Sequence, residues 1–253
     1  MNLLKTGIAA VAAISIGTGM SASDGRPLQL KYDRPAQYFE EALILGNGNL
    51  GASVYGGVEH EKISLNDITL WTGEPDMEVA EPDAYKYIPL VREHLAKEDY
   101  VGADAANLKI QGNGSEIYMP LGELIIDFEY PKGSSTSDYR RTLSLSDATA
   151  DVSFRRGDSG YSRQYFVSAP DSVIVMRLSV SGNDKINGKI RMNSQLPHAT
   201  SVSGNVLVCD GYAAYHTYTE WEDGKYGMDR FCYDPARGIH FRTAIVPVNL
   251  SDE

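Results

Sequence analysis

Residues 38–75 read YFEEALILGNGNLGASVYGGVEHEKISLNDITLWTGEP. Gly46, Gly48 and Gly51 punctuate one loop in this stretch, and Gly56 and Gly57 punctuate a second. Between them, Leu50-Gly51-Ala52-Ser53-Val54-Tyr55 alternates apolar with small or polar residues. Ile63-Ser64-Leu65 resumes the alternation after a charged turn. Side chains on a strand point alternately to its two faces, so a period of two with turn residues in the middle predicts a β-hairpin. The stretch runs out through Asn66-Asp67 into Leu70-Trp71-Thr72-Gly73.

The same signal recurs outward from the hairpin. Strands are predicted at 28–32, 50–58, 62–65, 121–130, 140–145, 150–155, 162–168, 173–180, 189–193, 205–209 and 239–248. Gly157-Asp158-Ser159-Gly160 and Gly182-Asn183-Asp184 read as hairpin connections. Many short strands separated by turn signals predict a mainly β fold, an antiparallel, supersandwich-like β-sandwich held in one domain. One segment departs from it. Over about 83–108, Ile88, Val91, Leu95, Tyr100, Ala103 and Ala106 follow helical spacing. Pro89 is acceptable in a first turn, and Lys97-Glu98-Asp99 separates two short helices, the second capped near Asp99. This helical insertion is expected to cover a sheet edge or to pack on another domain.

The ordered motifs of residues 38–75 resemble the opening of the N-terminal β-domain of glycoside hydrolase family 95, the inverting α-L-fucosidases. A pattern EALPLGNGRLGAMVFGGV followed by LNEDTLWSG stands there in the same order. The resemblance continues through Tyr118-Met119-Pro120-Leu121-Gly122-Glu123-Leu124, similar to that family's YQPLGDL with Met119 and Glu123 as departures. It continues through Asp138-Tyr139-Arg140-Arg141, Tyr161-Ser162-Arg163-Gln164-Tyr165 and Arg237-Gly238-Ile239-His240-Phe241. It implies an N-terminal β-sandwich domain over 28–253, incomplete at its C-terminus, whose partner is an α/α barrel that carries the chemistry. Inversion needs an acid and a base that activates water on opposite sides of the sugar, the two groups ~6.5–9.5 Å apart. The resemblance puts both groups beyond Glu253, so no catalytic residue is carried over, and the chain alone is expected to be inactive. The implied substrates are terminal α-L-fucosides on glycans, α-1,2-linked ones foremost. α-L-Galactosides are admitted too, because the two sugars differ only at the exocyclic carbon. A stand-alone carbohydrate-binding module and a purely structural domain are the alternatives from other classes.

Lys5 followed by an apolar run from Gly7 to Gly17 and then small residues gives residues 1–22 the form of a secretory signal peptide. The run is too short to span a bilayer, so export to the periplasm or the extracellular space is expected, with cleavage after Ser21 or Ser23. The formal net charge is −11, one unit more negative without Lys5. Such a surface repels nucleic acid and anionic membranes and is compatible with neutral sugars. Cys209 and Cys232 could pair after export, or remain thiols. The five histidines show no short metal-ligand spacing, and neither a metal nor another cofactor is expected.

Three residues are candidates for substrate binding. In Gly46-Asn47-Gly48-Asn49 no helix and no Lys-Ser/Thr follow, so this is not a phosphate loop. The glycines fit a strand-entry turn, while Asn47 and Asn49 could offer amides to sugar hydroxyls or to the barrel rim. Trp71 could stack on a pyranose or pack at a domain interface. Residues 212–233 gather Tyr212, Tyr215, Tyr218, Trp221, Tyr226, Phe231 and Tyr233, either a glycan platform or a loop folded over its own aromatics. Glu40, Glu41, Asp67 and Glu74 lie near these positions, but adjacent Glu40 and Glu41 point apart and form no catalytic pair.

Overall fold

The computed structural model describes residues 28–75, 83–111, 116–218 and 229–248. The proposed signal peptide, Trp221 and Tyr226 lie outside them. In chain order the strands are β1 (Gln29–Tyr32), β2 (Leu43–Gly46), β3 (Leu50–Val54), β4 (His60–Asp67), β5 (Gly122–Glu129), β6 (Thr136–Ser144) and β7 (Thr149–Arg156). They continue with β8 (Ser159–Ser168), β9 (Val173–Ser181), β10 (Asn187–Asn193), β11 (His198–Ser203), β12 (Val206–Tyr212), β13 (His216–Thr217), β14 (Phe231–Cys232) and β15 (His240–Ile245). One antiparallel sheet has the order β1-β6-β7-β8-β9 and a second the order β10-β5-β4-β3-β2. A smaller sheet, β11-β12-β15, and the β13-β14 pair complete them.

Period-two alternation sets what lies between the two large sheets. β7 buries Ala150, Val152 and Phe154, and β8 buries Tyr161, Arg163 and Tyr165. From the other sheet come Leu43, Leu45, Ala52, Val54, Ile63 and Leu65. A one-residue slip in any of these strands would turn its apolar set to water, so the core fixes the register. The fold is the mainly β sandwich with a short helical insertion that the strand pattern predicts.

A polar bridge crosses this core. Glu61 of β4 is fully buried, and its carboxylate accepts from the Gly56 amide at 2.8 Å, the Arg163 guanidinium at 2.8 Å and the Tyr165 hydroxyl at 2.9 Å. Arg163 also donates to the Gly57 and Val58 carbonyls and to the Tyr130 hydroxyl, at 2.5, 2.7 and 2.8 Å. Removal from water pushes the Glu61 carboxyl above its ordinary range, against the pull of Arg163. The network ties the β3–β4 turn to β8 of the facing sheet.

The connection at Gly182-Asn183-Asp184 differs from the expected hairpin. β9 belongs to the first sheet and β10 pairs with β5 in the second, so this segment is a crossover. The Tyr161 hydroxyl donates to Asp184 at 2.7 Å and anchors it. Turn residues announce that the chain reverses and carry no information about which sheet receives it. Strand β2 was also hidden in the sequence reading, because Gly46 looks like loop. It closes β2 opposite Gly51, leaving only 47–49 as the turn, with Gly48 at a φ of 94° that a side chain would resist.

The insertion forms α1 (Ile88–Ala96) and α2 (Tyr100–Asn107), with Pro89 in the first turn of α1. Asp99 accepts from the Gly102 amide at 2.9 Å and caps α2. The helices pack chiefly on each other rather than over a sheet edge. Ala103 and Ala106 are buried, while Leu90, Leu95, Tyr100 and Val101 stay exposed. No helix among the described residues is long and apolar enough to cross a membrane.

Candidate functional site

The turn after β4 lies at one end of the sandwich, and its backbone explains why Trp71 stands out from the surface. Asp67 accepts from both the amide and the hydroxyl of Thr69, at 2.9 and 2.6 Å, so the chain turns as it leaves the sheet. Ile68 is then held from two sides. Its amide donates to the Asn49 carbonyl at 2.9 Å, and its carbonyl accepts the indole N–H of Trp71 at 2.9 Å. The β2–β3 turn and Trp71 are thereby fixed to one another through a single residue. The indole's only donor is satisfied within the turn, yet the residue is 42 % exposed, so its ring is what it offers to a ligand.

Beyond Trp71 the chain runs between two neighbouring segments. Thr72 and Gly73 donate to the Ile117 and Ala214 carbonyls at 2.8 and 2.9 Å, and Met119 donates to the Leu70 carbonyl at 2.9 Å. Trp71 pairs with Tyr118, and their rings meet edge to face with centroids 5.4 Å apart. Gly73, at a φ of 106°, lies under the Glu116 side chain, where an added Cβ would come within 2.7 Å of Glu116 Cγ. Glycine is required there on both counts.

Glu116 collects two further groups. Its Oε1 lies 2.9 Å from His216 Nδ1, and its Oε2 accepts the Thr72 hydroxyl proton. That hydroxyl in turn accepts the Ile117 amide at 2.9 Å, which fixes its direction. His216 meets the edge of Tyr218 at a centroid distance of 4.7 Å. At the margin, Arg237 pairs with Glu74 and lies over the Tyr215 ring, 3.5 Å from its centroid. Arg237 holds the Glu74 carboxyl below its ordinary range, so this carboxylate is ion-paired rather than poised to carry a proton.

The sequence candidates fall on this end in different ways. Asn49 is exposed beside Ile68, and Trp71 forms the aromatic wall. Asn47 is turned inward: its Oδ1 accepts from the Asn49 and Leu50 amides at 2.9 and 2.7 Å, and its Nδ2 donates to the Ser168 carbonyl at 2.9 Å. Glu41 pairs with Arg34 and Asp67 shapes its own turn. Cys209 and Cys232 are both free. Glu116, His216 and Thr72 escaped the sequence reading, because residues 100 apart along the chain leave no spacing signal. A separate shallow depression on the outer face of β7, β8 and β9 is lined by Ser153, Ser162, Ser179 and Ser181. Its aromatic members, Phe154 and Tyr161, are buried in the core and present no stacking face.

Comparison with known proteins matches residues 30–249 to the family model described as "Glycosyl hydrolase family 65, N-terminal domain". The chain is 30 % identical over 230 residues to "Alpha-L-fucosidase 2" of Arabidopsis thaliana, an alignment covering 90 % of this chain and 27 % of that protein. It is 32 % identical over 177 residues to "Probable alpha-fucosidase A" of Aspergillus niger, covering 66 % of this chain and 20 % of the relative. The chain therefore spans about a quarter of the length of these relatives. With its sandwich, its ordered motifs and this match in hand, the chain belongs to the family of glycosyl hydrolase N-terminal domains found in α-L-fucosidases, as the resemblance to family 95 implied.

Proposed function

We propose that this chain is the non-catalytic N-terminal domain of an exported glycoside hydrolase that removes terminal α-L-fucose from glycans with inversion. The observation that carries the reading is the alignment of 90 % of the chain with an α-L-fucosidase of which it covers 27 %. Lys5 and the apolar run after it support export. The catalytic acid and the activated water belong to an α/α barrel. The exposed Leu90, Leu95, Tyr100 and Val101 of the helical insertion support a packing partner of that kind, since such a surface is costly to leave in water. Trp71 and Asn49 sit on an end that can meet the glycan near the barrel mouth. The net negative charge disfavours nucleic acid and anionic membrane as partners.

The test is proton NMR of 2'-fucosyllactose hydrolysis by the protein that joins this domain to a barrel. β-L-Fucose as the first-formed anomer is the expected product. The α-anomer would contradict inversion, and no release of fucose would contradict the assignment.

A further inference from the structure

We propose that the corner formed by Trp71, Tyr118, Gly73, Glu116 and His216 is a binding subsite for one neutral pyranose, with His216 as its directional hydrogen-bonding group. The inference rests on the reading of this domain as one that meets glycans, and it assigns where and by which atoms. Three features carry it.

The corner joins an apolar wall to a polar one. Trp71 has its N–H spent on Ile68 and is 42 % exposed as a residue, so it recognises by its face, as the C–H side of a sugar requires. Tyr118 and Glu116 are two residues apart, at most ~7 Å along the chain, so the polar wall begins beside the aromatic one.

The polar wall is preorganised. Thr72 donates to one oxygen of Glu116, and the other oxygen faces His216 Nδ1 at 2.9 Å. A carboxylate at that nitrogen keeps the neutral ring's proton on Nδ1, which leaves Nε2 as an acceptor for a sugar hydroxyl. The imidazole is 43 % exposed, so a ligand can reach it. Glu116 acts through His216 and is a positioning residue.

The seat of the carboxylate is fixed. Gly73 has no side chain, so the Glu116 side chain lies directly over its backbone, where an added Cβ would come within 2.7 Å of Glu116 Cγ. The carboxylate and the acidic surface select against uronic or sialic acids and for neutral rings.

The experiment is an NMR titration of the full exported chain with methyl α-L-fucopyranoside, and in parallel with the methyl glycoside of N-acetylneuraminic acid. Long-range ¹⁵N–¹H spectra of the His216 ring are expected to show the Nδ1–H tautomer, with the Nε2 resonance moving on addition of the fucoside and not of the acidic sugar. Trp71→Ala and His216→Ala are each expected to weaken fucoside binding about tenfold. His216→Gln, which keeps an amide near the Nε2 position, should recover most of the loss. Glu116→Gln should shift the tautomer populations while the chain stays folded. Fucoside affinities for His216→Ala and Trp71→Ala within about twofold of the parent, with folded spectra, would overturn the subsite. So would an Nε2–H tautomer unmoved by sugar. Hydrolysis is scored separately, on the protein that joins this domain to a barrel: if that protein binds the fucoside here and never releases fucose, the proposed function is refuted and the subsite stands.

Discussion

Glu61 and Arg163 meet 2.8 Å apart between the two large sheets, both buried, one from β4 and the other from β8. Every oxygen of the carboxylate has a donor, and the guanidinium reaches the carbonyls of the β3–β4 turn as well. The bridge is a clamp that holds one sheet's hairpin on the other sheet.

Breaking one half of it leaves a buried charge without its partner. Glu61→Ala or Arg163→Ala is expected to lower stability by about 3–5 kcal/mol. Replacing both with apolar residues of similar volume, Glu61→Leu with Arg163→Met, should cost much less than either alanine. Urea unfolding of the three variants measures this; single and double losses that simply add would contradict the clamp.

On the outer side of the second sheet, Asp127 of β5 lies between Arg191 of β10 and His60 of β4. Arg191 first, and His60 with it, draw its carboxyl down to about 2. Glu41, held by Arg34 and the Gln37 amide, also falls to about 2. Both folded values lie below the ordinary ~4 of an unfolded carboxylate. The unfolded chain therefore takes up protons first, and the stability these groups add is full above pH ~4 and lost as pH falls towards about 2. Urea midpoints followed from pH 6 downward should drop over that window, and Asp127→Asn should flatten the drop.

Asn47 and Asn49 are expected to separate. Asn47→Ala removes an acceptor of two turn amides and the link to Ser168, and should cost about 1–2 kcal/mol. Asn49→Ala, at an exposed site, should leave the melting temperature unchanged and weaken glycan binding if its amide touches sugar. Calorimetry and the fucoside titration read the two effects independently.

Export is expected to remove 21–23 residues, since the apolar run ends at Gly17 and small residues follow. Intact-mass measurement of the secreted protein decides this, and a chain still beginning at Met1 would refute it.

The sequence made the sandwich legible where one face is buried. In β7, Ala150, Val152 and Phe154 alternate with exposed or half-exposed residues, and such a strand announces itself. Strand β11, from His198 to Ser203, is exposed along its whole length, so no alternation marks it. The short pair β13–β14 exists through contacts across the chain rather than through its own pattern. The site divides in the same way. Trp71 could be picked out because a tryptophan in a turn after a hairpin is conspicuous. Glu116 and His216 could not, because neither residue type at those positions signals anything until the fold brings them to 2.9 Å.

The central claim is that this domain belongs to a fucosidase and leaves the chemistry to a barrel. The most direct measurement is prolonged incubation of purified residues 24–253 with 4-nitrophenyl α-L-fucoside and 2'-fucosyllactose, beside the protein that joins the domain to its barrel. The account predicts fucose release by the joined protein and none by the domain alone. Turnover by the isolated domain that survives repurification and disappears on mutating Glu40, Asp67 or Glu74 would contradict it and place the active site in this sandwich.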